Sequence, residues 1–180
     1  MDKRVQANLR VKQSITDALF SLMQKEPLGE ITISEIIKTA GVARASFYRN
    51  YKSKEEVITG FIDDILERFR NGRDLATIDY MSKSHVKKTF IYFKKYKTYF
   101  MEMYNANLIS LALEELNSFQ AAIAGSMPMD SADRYAIYFY MGAMFNMALE
   151  WVKNGAKEDV DEMVRVFCDQ LGIKKEGEAD

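Results

Sequence analysis

Residues 32–54, TISEIIKTAGVARASFYRNYKSK, hold two short helical patterns that meet at Gly41. Ile33, Ile36, Ile37 and Ala40 recur at 3- and 4-residue spacings, one buried face of a helix, and Thr32 with Glu35 forms a capping-box start. Gly41 supplies the left-handed conformation that ends such a helix cheaply. The second pattern, Ala43 to Tyr51, puts Phe47 and Tyr51 on one side and Arg44, Ala45, Tyr48 and Arg49 largely on the other. Ser53, with Glu56 three residues on, opens a longer helix and holds Lys54 at its N-terminus, where a cation is unusual without an anionic partner.

Two short helices joined by a glycine turn make a helix-turn-helix, in which the second enters the major groove of DNA and the first braces it. The run GVARASFYRNYKSKEEV resembles the end of the DNA-binding domain of the TetR family of transcriptional regulators, whose pattern is close to Gly-Val-Ser-x-x-Thr-Phe-Tyr-x-His-Phe-x-Ser-Lys-Glu-Glu-Leu. Gly41, Val42, Ser46, Phe47, Tyr48, Tyr51, Ser53, Lys54, Glu55, Glu56 and Val57 match it in identity or kind. The resemblance is strongest over residues 8–60. Two departures stand out: Ala43 replaces the usual capping serine, and Asn50 sits where histidine or another aromatic is common.

The chain has 180 residues, enough for a sizeable core, and only two prolines and nine glycines interrupt it. Its composition is 48% apolar, and the long stretches without breakers predict an all-α protein of about nine helices. The N-terminus lacks the apolar core of a signal peptide, and no apolar run approaches the ~20 residues that span a bilayer, so the expected location is the cytoplasm. A single cysteine, Cys168, excludes an intramolecular disulfide and reads as a small apolar core residue. A single histidine, His85, far from it along the chain, reads as a surface residue; no metal site and no nucleophile–base pair is expected. Without paired carboxylates or a glycine-rich phosphate loop, an enzyme is the least supported class. The net charge of −1 hides a division: residues 1–54 hold ten Lys or Arg against five Asp or Glu, a balance of +5, and the remaining 126 hold fifteen against twenty-one, a balance of −6. Excess positive charge at the helix-turn-helix end supplies sequence-independent affinity for DNA.

In chain order, a first helix is expected from Ala7 to Gln24, with Lys3, Arg4, Arg10 and Lys12 near its start, either reaching the DNA backbone or minor groove or simply solvated. A helix of about 17 residues from Lys54 to Arg70 links the DNA-binding domain (1–54) to the rest, and Asn71 to Ser82 reads as a boundary. The second domain, 71–173, is expected to be a helical bundle for ligand binding and dimerisation. It begins with a helix from Ser84 to Tyr96 whose lysines form a solvated face. Two helices between Thr98 and Ala124 meet near Asn105 to Asn107, and Gly125, Pro128 and Asp130 mark a turn. From Ala132 to Lys153 the pattern is apolar on every side, so one side needs cover from outside the chain; a final helix, Glu158 to Leu171, would complete half of a four-helix dimer interface. The charged tail, 174–180, reads as disordered.

The resemblance implies a two-fold dimer on a palindromic operator, most often a repressor released when a ligand shifts its two recognition helices. It carries DNA contacts to Thr32, Ser46, Tyr48 and Lys54 as phosphate holders and to Arg44, Ala45 and Arg49 at base edges or the adjacent backbone, with Asn50 beside them. Phe93, Phe100, Met101, Met103, Tyr104, Leu108, Leu111, Phe119, Tyr138 and Met141 are candidates to line a pocket for a small apolar or aromatic effector, or to fill a core. Tyr135, Phe139, Gly142, Phe145, Leu149, Val160, Val164 and Phe167 are candidates for the dimer interface. No cofactor is expected. An alternative keeps the DNA-binding end and gives the C-terminal bundle a partner protein in place of a small molecule, with activation as the outcome.

Overall fold

The computed structural model describes residues 3–70, 79–80, 82–124 and 132–173. Most of the boundary read between Asn71 and Ser82 lies outside them, as do the turn at Gly125, Pro128 and Asp130, the tail 174–180 and the side chain of Phe119. Among the described residues the chain is all-α, with nine helices and no strand. They are α1 (Lys3–Met23), α2 (Ile33–Ala40), α3 (Arg44–Asn50), α4 (Lys54–Arg70), α5 (Lys83–Lys95), α6 (Lys97–Asn105), α7 (Ile109–Ala124), α8 (Asp133–Lys153) and α9 (Val160–Leu171). The first helix begins four residues before the expected Ala7, because nothing between Lys3 and Ala7 breaks a helix. The α6–α7 junction falls where the two asparagines predict it, with Asn107 in the left-handed region at φ 58°. Spatial contacts divide the chain into two compact units, Met1–Arg68 with Glu102–Glu115, and Phe69–Met101 with Leu116–Asp180.

In the first unit α1, α2 and α3 pack around Ile15, Leu19, Ile36 and Phe47, all fully buried. Val57, Ile58, Phe61 and Ile62 of α4 close that core, and the Phe20 and Phe61 rings meet at 5.2 Å. Tyr51, directly after α3, is buried against Gly60 of α4; a Cβ at Gly60 would lie 3.1 Å from the tyrosine ring. Burial pushes the Tyr51 phenol up to about 12, against a hydrogen bond from Thr16 of α1.

In the second unit α5 packs on α8 and α9. Val86 and Phe90 of α5, Met144, Ala148, Trp151 and Val152 of α8, and Met163, Val164 and Phe167 of α9 make its core. His85 belongs inside, not on the surface as its isolation in the sequence suggests. It is buried, with its ring edge-to-face with Phe69 at 5.1 Å and Tyr80 at 5.2 Å, contacts an imidazole makes as readily as a phenyl ring. The lysines of α5 have specific partners. Lys87 pairs with Asp161 at 2.6 Å, Lys94 lies over the Trp151 ring, and Lys95 over Tyr92 and Tyr96. Cys168 is buried, and burial pushes its thiol up, which disfavours the reactive thiolate.

Glu115 of α7 and Asp63 of α4 bring two carboxyl groups together within the first unit. Burial first, then the Asp63 charge and a hydrogen bond to it, raises the Glu115 carboxyl above its ordinary 4.5. A carboxyl raised on folding contributes most below its unfolded value and loses that contribution as pH rises through its folded value. Glu115→Gln keeps a donor for Asp63 and removes the charge. It is expected to raise the melting temperature at pH 7 by about 1–2 °C, the scale of a surface-charge change of ~0.5 kcal/mol, and to lose that advantage by about pH 4. Melting curves at the two pH values check this, and an unchanged midpoint at pH 7 counts against the repulsion.

Candidate nucleic-acid interface

The helix-turn-helix is built by local rules. Thr32 caps α2 from an extended conformation: its hydroxyl accepts from Glu35 N at 3.2 Å, while the Glu35 carboxylate accepts from Thr32 N at 2.8 Å and Thr32 Oγ1 at 2.6 Å. These bonds hold the Glu35 carboxyl below the ordinary carboxylate range. Gly41 ends α2 at φ 64°, ψ 30°, with backbone bonds back to Ile37 and Lys38. Ala43 then starts α3 without a side-chain cap, as its missing hydroxyl requires.

Phe47 anchors α3 inward, fully buried, with its ring 5.4 Å from Tyr48 and 6.1 Å from Tyr51. The opposite face stays open: Arg44, Ala45, Tyr48 and Arg49 are exposed and Ser46 is half-buried. Arg44 Nη1 donates to Ser34 Oγ at 3.4 Å and its Nη2 to Tyr48 Oη at 3.3 Å. Ser34, on the exposed side of α2, was not among the residues expected at DNA, yet it is bonded to Arg44 of the open face. Its signal was the placement of a hydroxyl two positions after the cap, on the face away from Ile33, Ile36 and Ile37.

Three residues expected at DNA are engaged within the protein. The Thr32 hydroxyl proton is directed to Glu35. Asn50 forms a reciprocal amide pair with Asn8 of α1, at 3.0 and 3.1 Å, and also donates to Ser46 O at 2.9 Å. Lys54 Nζ donates to the carbonyls of Leu28, Gly29 (3.2 Å) and Ile31 (2.8 Å), so all three ammonium protons close on the α1–α2 loop. These carbonyls replace the anionic partner its helix position asked for. Lys12, at the basic start of α1, pairs with Asp64 of α4 at 3.1 Å.

Residues 15–59 match the family profile described as bacterial regulatory proteins, tetR family. The match spans the whole helix-turn-helix, α2 and α3, with the end of α1 and the start of α4. Among curated relatives it is 34% identical over 55 residues to the HTH-type transcriptional regulator EthR of Mycolicibacterium smegmatis, a match that covers 31% of this chain. That match spans about a quarter, 25%, of the relative's own length. Among solved structures it is similar to a TetR transcriptional regulator from Streptococcus agalactiae 2603V, with TM-score 0.58, 16% identity and coverage of 93% of this chain and 97% of that one. It is also similar to the dihydroxyacetone kinase operon activator DhaS, with TM-score 0.59, 16% identity and coverage of 92% and 98%. At this identity these two likenesses establish the TetR fold.

The remaining sites expected from the sequence fall in both units. Of the ligand-pocket candidates, Met141 is buried in the second core, Phe93, Phe100 and Met101 pack against it, and Tyr138 is exposed. Phe93 and Phe100 are stacked at 4.6 Å. Met103, Tyr104, Leu108 and Leu111 belong to the first unit, where Met103 is buried and Tyr104 exposed. Of the dimer-interface candidates, Phe145, Val164 and Phe167 lie inside the chain's own core, because α5 covers that side of α8 and α9. Tyr135 and Phe139, 72% and 68% exposed, occupy an outer face of α8, while Gly142, Leu149 and Val160 are half-buried.

Removing the Lys54 ammonium leaves the loop carbonyls of Leu28, Gly29 and Ile31 without it. Lys54→Ala is therefore expected to lower stability by about 1–3 kcal/mol, or roughly 3–8 °C in melting temperature. Lys54→Arg recovers only part of the loss, since a planar fork cannot reproduce three bonds converging on a point. A wild-type melting temperature for Lys54→Ala would show that the ammonium does not hold the loop.

Proposed function

We propose that the chain is a dimeric, sequence-specific regulator of transcription that binds a palindromic DNA operator in the cytoplasm, most simply as a ligand-responsive repressor. The open face of α3, with Arg44, Ala45, Tyr48 and Arg49 presented outward from a helix pinned by Phe47, carries this reading. A helix of that kind fits the major groove, and α2 braces it against the backbone. The positive balance of residues 1–54 supports the same partner. Residues 1–54 serve as the DNA-binding domain, α4 as the connector, and the chain from 71 to 173 as the effector and dimerisation domain.

A single recognition helix reads one groove face, so a palindrome needs a second copy at fixed spacing. Tyr135 and Phe139, one turn apart on α8, offer an exposed aromatic surface suited to a two-fold contact. The effector reading draws on two buried polar atoms, Tyr140 Oη and Trp151 Nε1, which have no hydrogen-bond partner among the described residues. They are polar handles in an aromatic and methionine-rich interior, the chemistry of a site for a small apolar molecule bearing an acceptor. The sign of regulation has a second reading, activation, because the similar DhaS structure is described as an operon activator.

Selection of bound fragments from random DNA is expected to yield a palindromic consensus with half-sites about one helical turn apart, or a multiple of it. Recovery of no consensus would remove sequence-specific regulation as the function. Phe139→Asp places a charge in the aromatic patch. It is expected to convert dimer to monomer in sedimentation and to weaken operator binding at least tenfold, with the fold retained by circular dichroism. A monomeric wild-type protein, or a Phe139→Asp dimer as tight as wild type, would remove this face from the interface.

A further inference from the structure

Arg44 is the hub of a polar cluster that joins α2 to α3. One arm of its guanidinium donates to Ser34 Oγ at 3.4 Å and the other to Tyr48 Oη at 3.3 Å, while its central carbon lies 5.3 Å from the Tyr48 ring centroid. Both hydroxyls accept from the cation, so each keeps its own proton for another acceptor. A hydroxyl that accepts from a charged donor is itself polarised into a stronger donor. Ser34 and Tyr48 are exposed, so both O–H groups are accessible from solvent beside a cation that has three of its five N–H groups left.

Two outward hydroxyls flanking a tethered guanidinium suit a tetrahedral oxyanion better than the flat edge of a base. Reading guanine through two parallel bonds requires the guanidinium to extend in the plane of the base pair. Here it is held back over the Tyr48 ring and toward α2. Arg49, also exposed on α3, has no hydrogen bond or ion pair among the described residues and can extend.

We propose that Ser34, Arg44 and Tyr48 form one clamp for a phosphodiester of the DNA backbone, and that base discrimination on α3 falls to Arg49 and the Ala45 methyl. This rests on the reading of α3 as a DNA-binding helix and assigns the labour within it. Ser34 touches the phosphate directly and positions Arg44. Tyr48 does the same from the α3 side, and Arg44 supplies the charge. The clamp fixes where α3 sits along the groove and carries no sequence information itself.

The test measures affinity of the full chain for its selected operator and for a random duplex across a salt series. Ser34→Ala, Arg44→Ala and Tyr48→Phe are each expected to weaken both duplexes by the same factor, about five- to thirtyfold, at unchanged melting temperature. Arg44→Ala lowers the salt slope by about 0.9, the release of one counterion equivalent. The Ser34→Ala, Tyr48→Phe double variant loses less than the product of the single losses, because both act through one guanidinium. Ser34→Thr restores affinity, and Arg49→Ala narrows the operator-to-random ratio. A narrowed ratio for Arg44→Ala, or unchanged affinity for Ser34→Ala, overturns the clamp while leaving the DNA-binding reading in place. Wild-type protein that holds no duplex even at low salt overturns both.

Discussion

The ammonium of Lys54 and the three carbonyls it gathers from Leu28, Gly29 and Ile31 hold the helix-turn-helix together from behind. The segment between α1 and α2 is short, contains Pro27 and Gly29, and makes a turn of its own in which Glu30 N donates to Pro27 O at 2.9 Å. A single cation at the first position of α4 ties that turn to the helix. The start of α2, the end of α1 and the start of α4 therefore share one point. The aromatic pair Phe47 and Tyr51 does the same for α3, with Tyr51 seated against Gly60 and bonded to Thr16. Once those two points are set, the exposed residues of α3 have one orientation relative to α1 and α4.

What was legible in the sequence follows from which interactions are local. The capping box at Thr32, the glycine turn at Gly41, the uncapped start at Ala43 and the whole extent of α4 depend on residues within a few positions of each other. Periodicity and capping rules read such features directly. Asn107 marked its helix junction for the same reason. Features that depend on partners distant in the chain were not legible. His85 looked like a surface residue until Phe69 and Tyr80 closed around it. Phe145, Val164 and Phe167 belong to apolar stripes that sequence cannot assign to an internal or an external partner, and within the chain they are buried, Phe145 beside Phe93 and Phe167 beside Phe90 of α5. Lys54 finds its acceptors more than twenty residues upstream.

The interface itself shows the same split. Motif resemblance singled out α3 and treated every polar residue along it as available. Structure divides them into those whose bonding capacity is used within the fold and those left exposed. Thr32 is engaged with Glu35, Asn50 with Asn8, and Lys54 with the loop. The departure from the family pattern at Asn50 acquires a physical meaning here. An aromatic at that place could not form the amide pair, and the pair ties the last residue of α3 to the first third of α1.

That internal engagement matters for how α3 could be specific. A helix of seven residues has few stabilising bonds of its own and would fray if the polar groups that tie it to the fold were also needed by a partner. Here the two tasks fall on different residues. Phe47, Asn50 and Tyr51 bind the helix to the rest of the unit, while Ala45 and Arg49 remain outside that network and Arg44 is drawn into a cluster facing solvent. The contacts that fix the position of α3 can then stay constant while residues at its open face change. On this arrangement, altered sequence preference needs substitution at only one or two exposed positions, without disturbing the points at Lys54 and Tyr51 on which the unit is assembled.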